Sequence, residues 1–170
     1  MENFNGLDDE SAKAALINCC GATKWVDLML KKRPFASIDN MLTTSRECWD
    51  ECGEEDWKEA FTHHPKIGDL ASLKEKYAST SKWAANEQSG VAVANPKVLR
   101  ELAKGNTAYQ VKYGYIFIVC ATGKSAKEML DILKSRIHNS PSKELLIAKE
   151  EQFKITQIRI HKLLSAGHLV

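Results

Sequence analysis

Tyr115-Ile116-Phe117-Ile118-Val119-Cys120-Ala121-Thr122-Gly123 is the one run in this chain that reads as a buried β-strand, and what it could pair with decides the fold class. No second strand-like run is present for it to join. A lone strand would leave a row of N–H and C=O groups without partners, so the run is read as an extended or irregular apolar segment buried among helices. The fold class expected is therefore all-α: a single-domain multi-helix bundle with one buried extended or irregular apolar segment. A polar ligand lying along that segment is one way to satisfy its backbone. Gly123-Lys124-Ser125 at its end has the close of a phosphate-binding loop, G-x-x-x-x-G-K-[ST], but the first glycine would have to be Ile118. Side chains as bulky as Ile118, Val119 and Thr122 keep backbone N–H groups from wrapping a phosphate, and Ser125 is better read as a helix cap.

Outward from the segment, every stretch has helical signals. Asn95-Pro96 is a cap followed by proline at the first helical position, and it opens a helix with Val98, Leu99, Leu102 and Tyr109 that ends at Gly114. Ser125 caps a helix bearing Met129, Leu130, Leu133 and Ile137, and Ser140-Pro141 starts a long one reaching about Leu164. Toward the N-terminus, Asp8 and Asp9 cap a helix with Ala12, Leu16 and Cys19, for which Gly21 is a plausible stop. Thr23 opens the next and Ser37 another, with Met41, Ser45, Cys48 and Trp49 on its core face. A further helix runs from Glu54 to about Thr62; others are expected after Asp69 and over 82–92.

Composition narrows the class of function. Charged residues are 27% and the formal net charge is +2, too small to suggest nucleic acid as a partner. The 5 cysteines lack C-x-x-C or Cys/His ligand spacing and are read as reduced thiols, with no metal site. Met1-Glu2-Asn3-Phe4 has no signal-peptide pattern, and no apolar run is long enough for a membrane span. A cytoplasmic protein is expected, with residues 1–170 forming one domain and a frayed tail from about 165.

Chemistry concentrates at Thr62-His63-His64-Pro65. Pro65 disfavours the α conformation at His64 and ends the helix there, which puts an imidazole at a chain corner with little freedom, as a proton-transfer group requires. The alternative is that the two histidines only meet the helix's terminal carbonyls. Glu87 recurs every four residues with Trp83 and Val91, so a carboxylate lies on an apolar face; it is either a satisfied buried acid or an acceptor for a ligand's N–H groups. Arg159 lies in a row with Ile155 and Leu163. It either pairs with an acid such as Glu151 or clamps a planar carbonyl or carboxylate.

Taken together, His64-Pro65-Lys66-Ile67-Gly68-Asp69, Glu87-Gln88, the run Gly114 to Ala121, Arg136 and Ile155-Thr156-Gln157-Ile158-Arg159-Ile160 resemble the successive signatures of the OHCU decarboxylase family. OHCU is 2-oxo-4-hydroxy-4-carboxy-5-ureidoimidazoline. The resemblance covers nearly the whole chain in order. It implies an all-α, cofactor-free enzyme of urate degradation, commonly a homodimer, that converts OHCU to (S)-allantoin. By position it implies His64 as the catalytic acid with Pro65 beside it. Ala84, Ala85, Asn86, Glu87 and Gln88 would form one wall, with Glu87 on the ligand's N–H groups. Main-chain groups of Phe117, Ile118, Val119, Cys120 and Ala121 would form another, with Arg159 on the substrate's oxygens. Many members have Ser where this chain has Ala84, which removes one side-chain hydrogen bond from that wall. Two other classes of function are weaker: a metal-dependent hydrolase using His63 and His64, whose adjacent rings point apart, and a non-catalytic helical interaction module.

Overall fold

The computed structural model describes residues 1–64 and 95–165, and the described residues form helices and connecting segments with no strand. In order these are α1 (Glu2–Asn5), α2 (Asp9–Cys19), α3 (Thr23–Lys31), α4 (Ile38–Asp50), α5 (Glu54–Thr62), α6 (Pro96–Tyr113), α7 (Ala126–Arg136) and α8 (Pro141–Ser165). The helices expected after Asp69 and over 82–92 lie outside the described residues. The chain divides into two compact units, residues 1–64 with those from Ile147 on, and residues 65–146.

Local chemistry sets most helix ends. Asp8 accepts from Ser11 N, Ser37 from Asn40 N and Asn95 from Lys97 N, each satisfying an amide that has no partner within its helix. Ser125 and Glu128 cap each other reciprocally at the start of α7. α6 ends in Gly114 at φ 79°, a left-handed conformation that glycine adopts without a Cβ clash. α3 is capped from a distance: Glu59 of α5 takes both Thr23 N and Thr23 Oγ1, at 3.0 and 2.6 Å.

In the first unit α3 packs on α2, α4 and α5. The core between them holds Phe4, Leu16, Trp25, Met29, Met41 and Trp49, joined by Phe153 and Ile160 of α8. Both buried indoles have carbonyl partners: Trp25 Nε1 donates to Ser45 O at 3.1 Å and Trp49 Nε1 to Lys149 O at 3.2 Å. The latter bond, together with the Arg46 guanidinium on Glu150 at 2.7 and 3.0 Å, fixes α8 against α4. α1, a single turn with no sequence signal of its own, is held where Arg33 donates to the carbonyls of Phe4, Asn5 and Leu7. All five cysteines are buried and none is in a disulfide.

In the second unit α6 packs on α7, and the run after Gly114 lies along them with Tyr115, Phe117, Ile118, Val119 and Cys120 buried. It is extended and irregular, as expected from the lack of a pairing strand. Its aromatic members stack on α6: the Tyr109 ring meets Tyr115 and Phe117 edge-on, at 5.9 and 5.1 Å between centroids.

Candidate active site

His64 stands at the end of α5, where the last turn tightens: His63 N bonds Ala60 O and His64 N bonds Phe61 O, both at 3.2 Å. The two rings part. His63 is exposed, and its ring lies over Gly21, where a Cβ would come within 2.3 Å of the His63 Cγ. Gly21 does follow the first long helix, but its φ is not positive; space for the histidine corner is what requires glycine there. His64 is half-buried and directs Nε2 at the side-chain oxygen of Gln152, 2.5 Å away.

Gln152 opens a polar row on α8. Thr156 and Arg159 follow at i+4 and i+7, which places all three on one face of the helix. Gln152 and Thr156 are fully buried, and Gln152 Nε2 reaches Thr156 Oγ1 at 3.3 Å. The Cys20 thiol lies against the same hydroxyl; burial pushes it up to about 11, so it is a neutral wall and not a thiolate. Of the two paths open to Arg159 in the sequence, the pairing with Glu151 is not taken. Its guanidinium points to the carbonyls of Asn18 and Cys19 at 3.4 and 3.5 Å, the C-terminal turn of α2, where helix dipoles favour a cation. Among the described residues it bonds no carboxylate, and Glu151 is engaged by Lys154 at 2.5 Å.

The first unit thus brings His64, through Gln152, and Arg159 to one face of α8, on which Gln152 and Arg159 are about 10 Å apart along the axis from the helical rise. Phe117 to Ala121, expected to form a wall, belong to the second unit, and Pro65 and Ala84 to Gln88 lie outside the described residues. In that segment, Arg136 Nη1 donates to Ile118 O at 2.8 Å and Lys124 Nζ to Cys120 O at 2.8 Å. Lys124, the lysine of the rejected phosphate-loop pattern, therefore turns back on the segment. Arg136 is itself paired with Glu144 through Nε at 2.7 Å and Nη2 at 2.6 Å, and Glu144 also accepts from Tyr109 OH at 2.6 Å and Asn139 Nδ2 at 2.8 Å. Burial, with the bond to Glu144, holds the Tyr109 phenol well above its usual range, so it remains a donor.

A model of the OHCU decarboxylase family matches residues 5–161. The chain belongs to the OHCU decarboxylase family. It is 37% identical over 148 residues to the uric acid degradation bifunctional protein TTL of Arabidopsis thaliana, covering 86% of this chain and 45% of that protein. It is 26% identical over 134 residues to the 2-oxo-4-hydroxy-4-carboxy-5-ureidoimidazoline decarboxylase of Amia calva, covering 78% of this chain and 75% of that one. Its fold matches a crystal structure of OHCU decarboxylase determined in the presence of (S)-allantoin, with a TM-score of 0.71 and 34% identity over 94% of this chain and 99% of that one. The all-α reading and the family resemblance both hold. Among the described residues no three His, Cys, Asp or Glu side chains converge to hold a metal ion, and no helix is long and apolar enough to cross a membrane. Sequence reasoning missed Gln152 and Thr156. The available signal was two further polar residues in register with Arg159 on a helix that otherwise buries Phe153 and Ile160.

Proposed function

We propose that the protein decarboxylates OHCU to (S)-allantoin, with His64 as the proton donor. The single observation that carries this reading is the match to the OHCU decarboxylase solved with (S)-allantoin, over nearly the full length of both chains. In OHCU the departing carboxylate sits on a carbon adjacent to a C=N bond. The electron pair freed as carbon dioxide leaves moves into that bond, and one proton is then added at C5. The substrate supplies its own electron sink, so the protein's share is to bind a polar ureide and deliver that proton to one face. His64, anchored at a helix end, is suited to the transfer; a positioned imidazole contributes on the order of 10² to 10⁴ in rate.

Arg159 serves in this reading as the clamp for substrate oxygens. Its bonds to the α2 carbonyls are long, which leaves a planar fork able to turn to a carboxylate or carbonyl at small cost. Pro65 is proposed to lie beside His64 in the pocket, Ala84 to Gln88 to form one wall with Glu87 on the ureide N–H groups, and the backbone of Phe117 to Ala121 to form another wall. Residues 1–170 are read as one family domain, supported by a family match that runs across both units. A cytoplasmic homodimer is proposed on the family resemblance, with cysteines that form no disulfide in keeping with that compartment.

The test is to generate OHCU in situ from urate in D₂O and follow the product by circular dichroism. Spontaneous decay protonates both faces and gives racemic allantoin. The enzyme is expected to give a single enantiomer carrying deuterium at C5. A product that forms no faster and stays racemic overturns the reaction; an accelerated but racemic one removes His64 as the donor.

A further inference from the structure

Gln152 is a fully buried amide with both polar ends committed. Its Oε1 stands 2.5 Å from His64 Nε2, and its Nε2 donates to Thr156 Oγ1 at 3.3 Å. The Thr156 hydroxyl donates in turn to the Gln152 backbone carbonyl at 3.1 Å. Its lone pairs therefore face the amide nitrogen, and turning the amide over would set oxygen against oxygen unless the hydroxyl gave up its bond to that carbonyl. An amide oxygen only accepts, so the ring nitrogen facing it carries the hydrogen. A neutral imidazole with its hydrogen on Nε2 takes up its next proton on Nδ1.

We propose that Gln152 is a positioning residue that holds His64 in the Nε2–H form and fixes the plane of its ring, so that the proton added at Nδ1 is the one offered to the substrate carbon. This inference rests on His64 being the donor in the reaction above. The Thr156 hydroxyl is its support, fixing which way the amide points. Without Gln152 the bond that sets the Nε2–H form is lost, and the transferable proton is displaced from the line of transfer. Setting the wrong tautomer in a catalytic histidine is a large effect, while loosening a supporting bond is a moderate one; a loss of about tenfold to a hundredfold is expected here.

The experiment reads the ring directly. ¹⁵N spectra of the imidazoles, with His64 assigned by the signals lost in His64→Asn, are recorded above the pH at which the ring is neutral. Wild type is expected to show Nε2 protonated and Nδ1 bare. Gln152→Leu should show averaged tautomers and a kcat lower by about tenfold to a hundredfold, with KM changed much less. Gln152→Glu keeps an acceptor in place and should retain the Nε2–H pattern. A wild-type ring protonated on Nδ1, or a Gln152→Leu protein with unchanged tautomer and kcat, overturns the proposal. If Gln152→Leu does not fold, the wild-type spectrum and the Glu variant still decide it. A wild-type protein with the Nε2–H pattern but no decarboxylation overturns the reaction and leaves the hydrogen-bond assignment standing, so the two failures are distinguishable.

Discussion

The carbonyl of Ile118 and the imidazole of His64 are each held by a buried side chain from a helix, but one holder is an ion and the other is neutral. Arg136, 6% exposed, takes the carbonyl while paired to Glu144, which is 0% exposed and further bonded by Tyr109 and Asn139. Gln152, equally buried, takes the imidazole with an amide. The difference follows from what each must do. The Ile118 segment has no strand to pair with among the described residues, and a charge-assisted bond from a buried ion pair fixes a carbonyl more firmly than a neutral donor does. A proton donor has the opposite need: a carboxylate facing the ring would hold the imidazolium by charge and retain its proton, whereas an amide orients the ring and leaves the proton transferable. Charge holds the scaffold, and a neutral partner holds the group proposed to react.

Three experiments can break or sharpen that contrast. His64→Asn should show the largest effect, a loss of about 10² to 10⁴ in the rate of stereospecific allantoin formation with little change in thermal stability, because it removes the proposed proton donor and little volume. His63→Asn should retain most activity, since that ring is exposed and points elsewhere. Equal losses in both would mean that the corner acts as a whole and not through one ring.

Glu144→Ala should do the reverse. Removing one partner of the buried pair leaves the Arg136 charge uncompensated, at a cost of about 3 to 5 kcal/mol in stability, read from urea midpoints. Arg136→Met/Glu144→Leu, which removes both charges, should recover much of that stability while leaving the Ile118 carbonyl without its donor. If the double variant is as unstable as Glu144→Ala, the pair contributes more than the satisfaction of its own charges.

The smallest effect is expected at Gly21. A Cβ there would lie 2.3 Å from the His63 Cγ, so Gly21→Ala must move the histidine corner, at about 1 to 3 kcal/mol for overpacking. Because His64 is the next residue, activity should fall along with stability. Adding His63→Ala removes the clashing ring and should restore both, a coupling that a double-mutant cycle measures. No rescue would mean that Gly21 is needed for its backbone conformation after all.

The helix framework was legible because its signals are local. Asp8, Ser37, Asn95-Pro96 and the Ser125–Glu128 box each bond an amide two or three residues away, and α5 runs from Glu54 to Thr62 as the pattern before Pro65 requires. The irregular character of 115–123 was legible too, from the absence of any other strand-like run. The corner at His64 followed from proline sterics alone, and the family from the order of its motifs. Residues far apart in sequence decided the rest. The Ile118 carbonyl is satisfied by Arg136, eighteen residues on, and His64 by Gln152, eighty-eight residues on. Arg159 turned to the end of α2 because, among the described residues, that helix terminus and no acid stands beside it. Gly21 read as a helix stop because glycine is what a stop uses, but a histidine ring from α5 is what excludes a side chain there. Caps and breaks depend on atoms within one turn of chain, which the sequence alone supplies; the partner of a buried polar group is set by which helices pack together, and only the tertiary structure decides that.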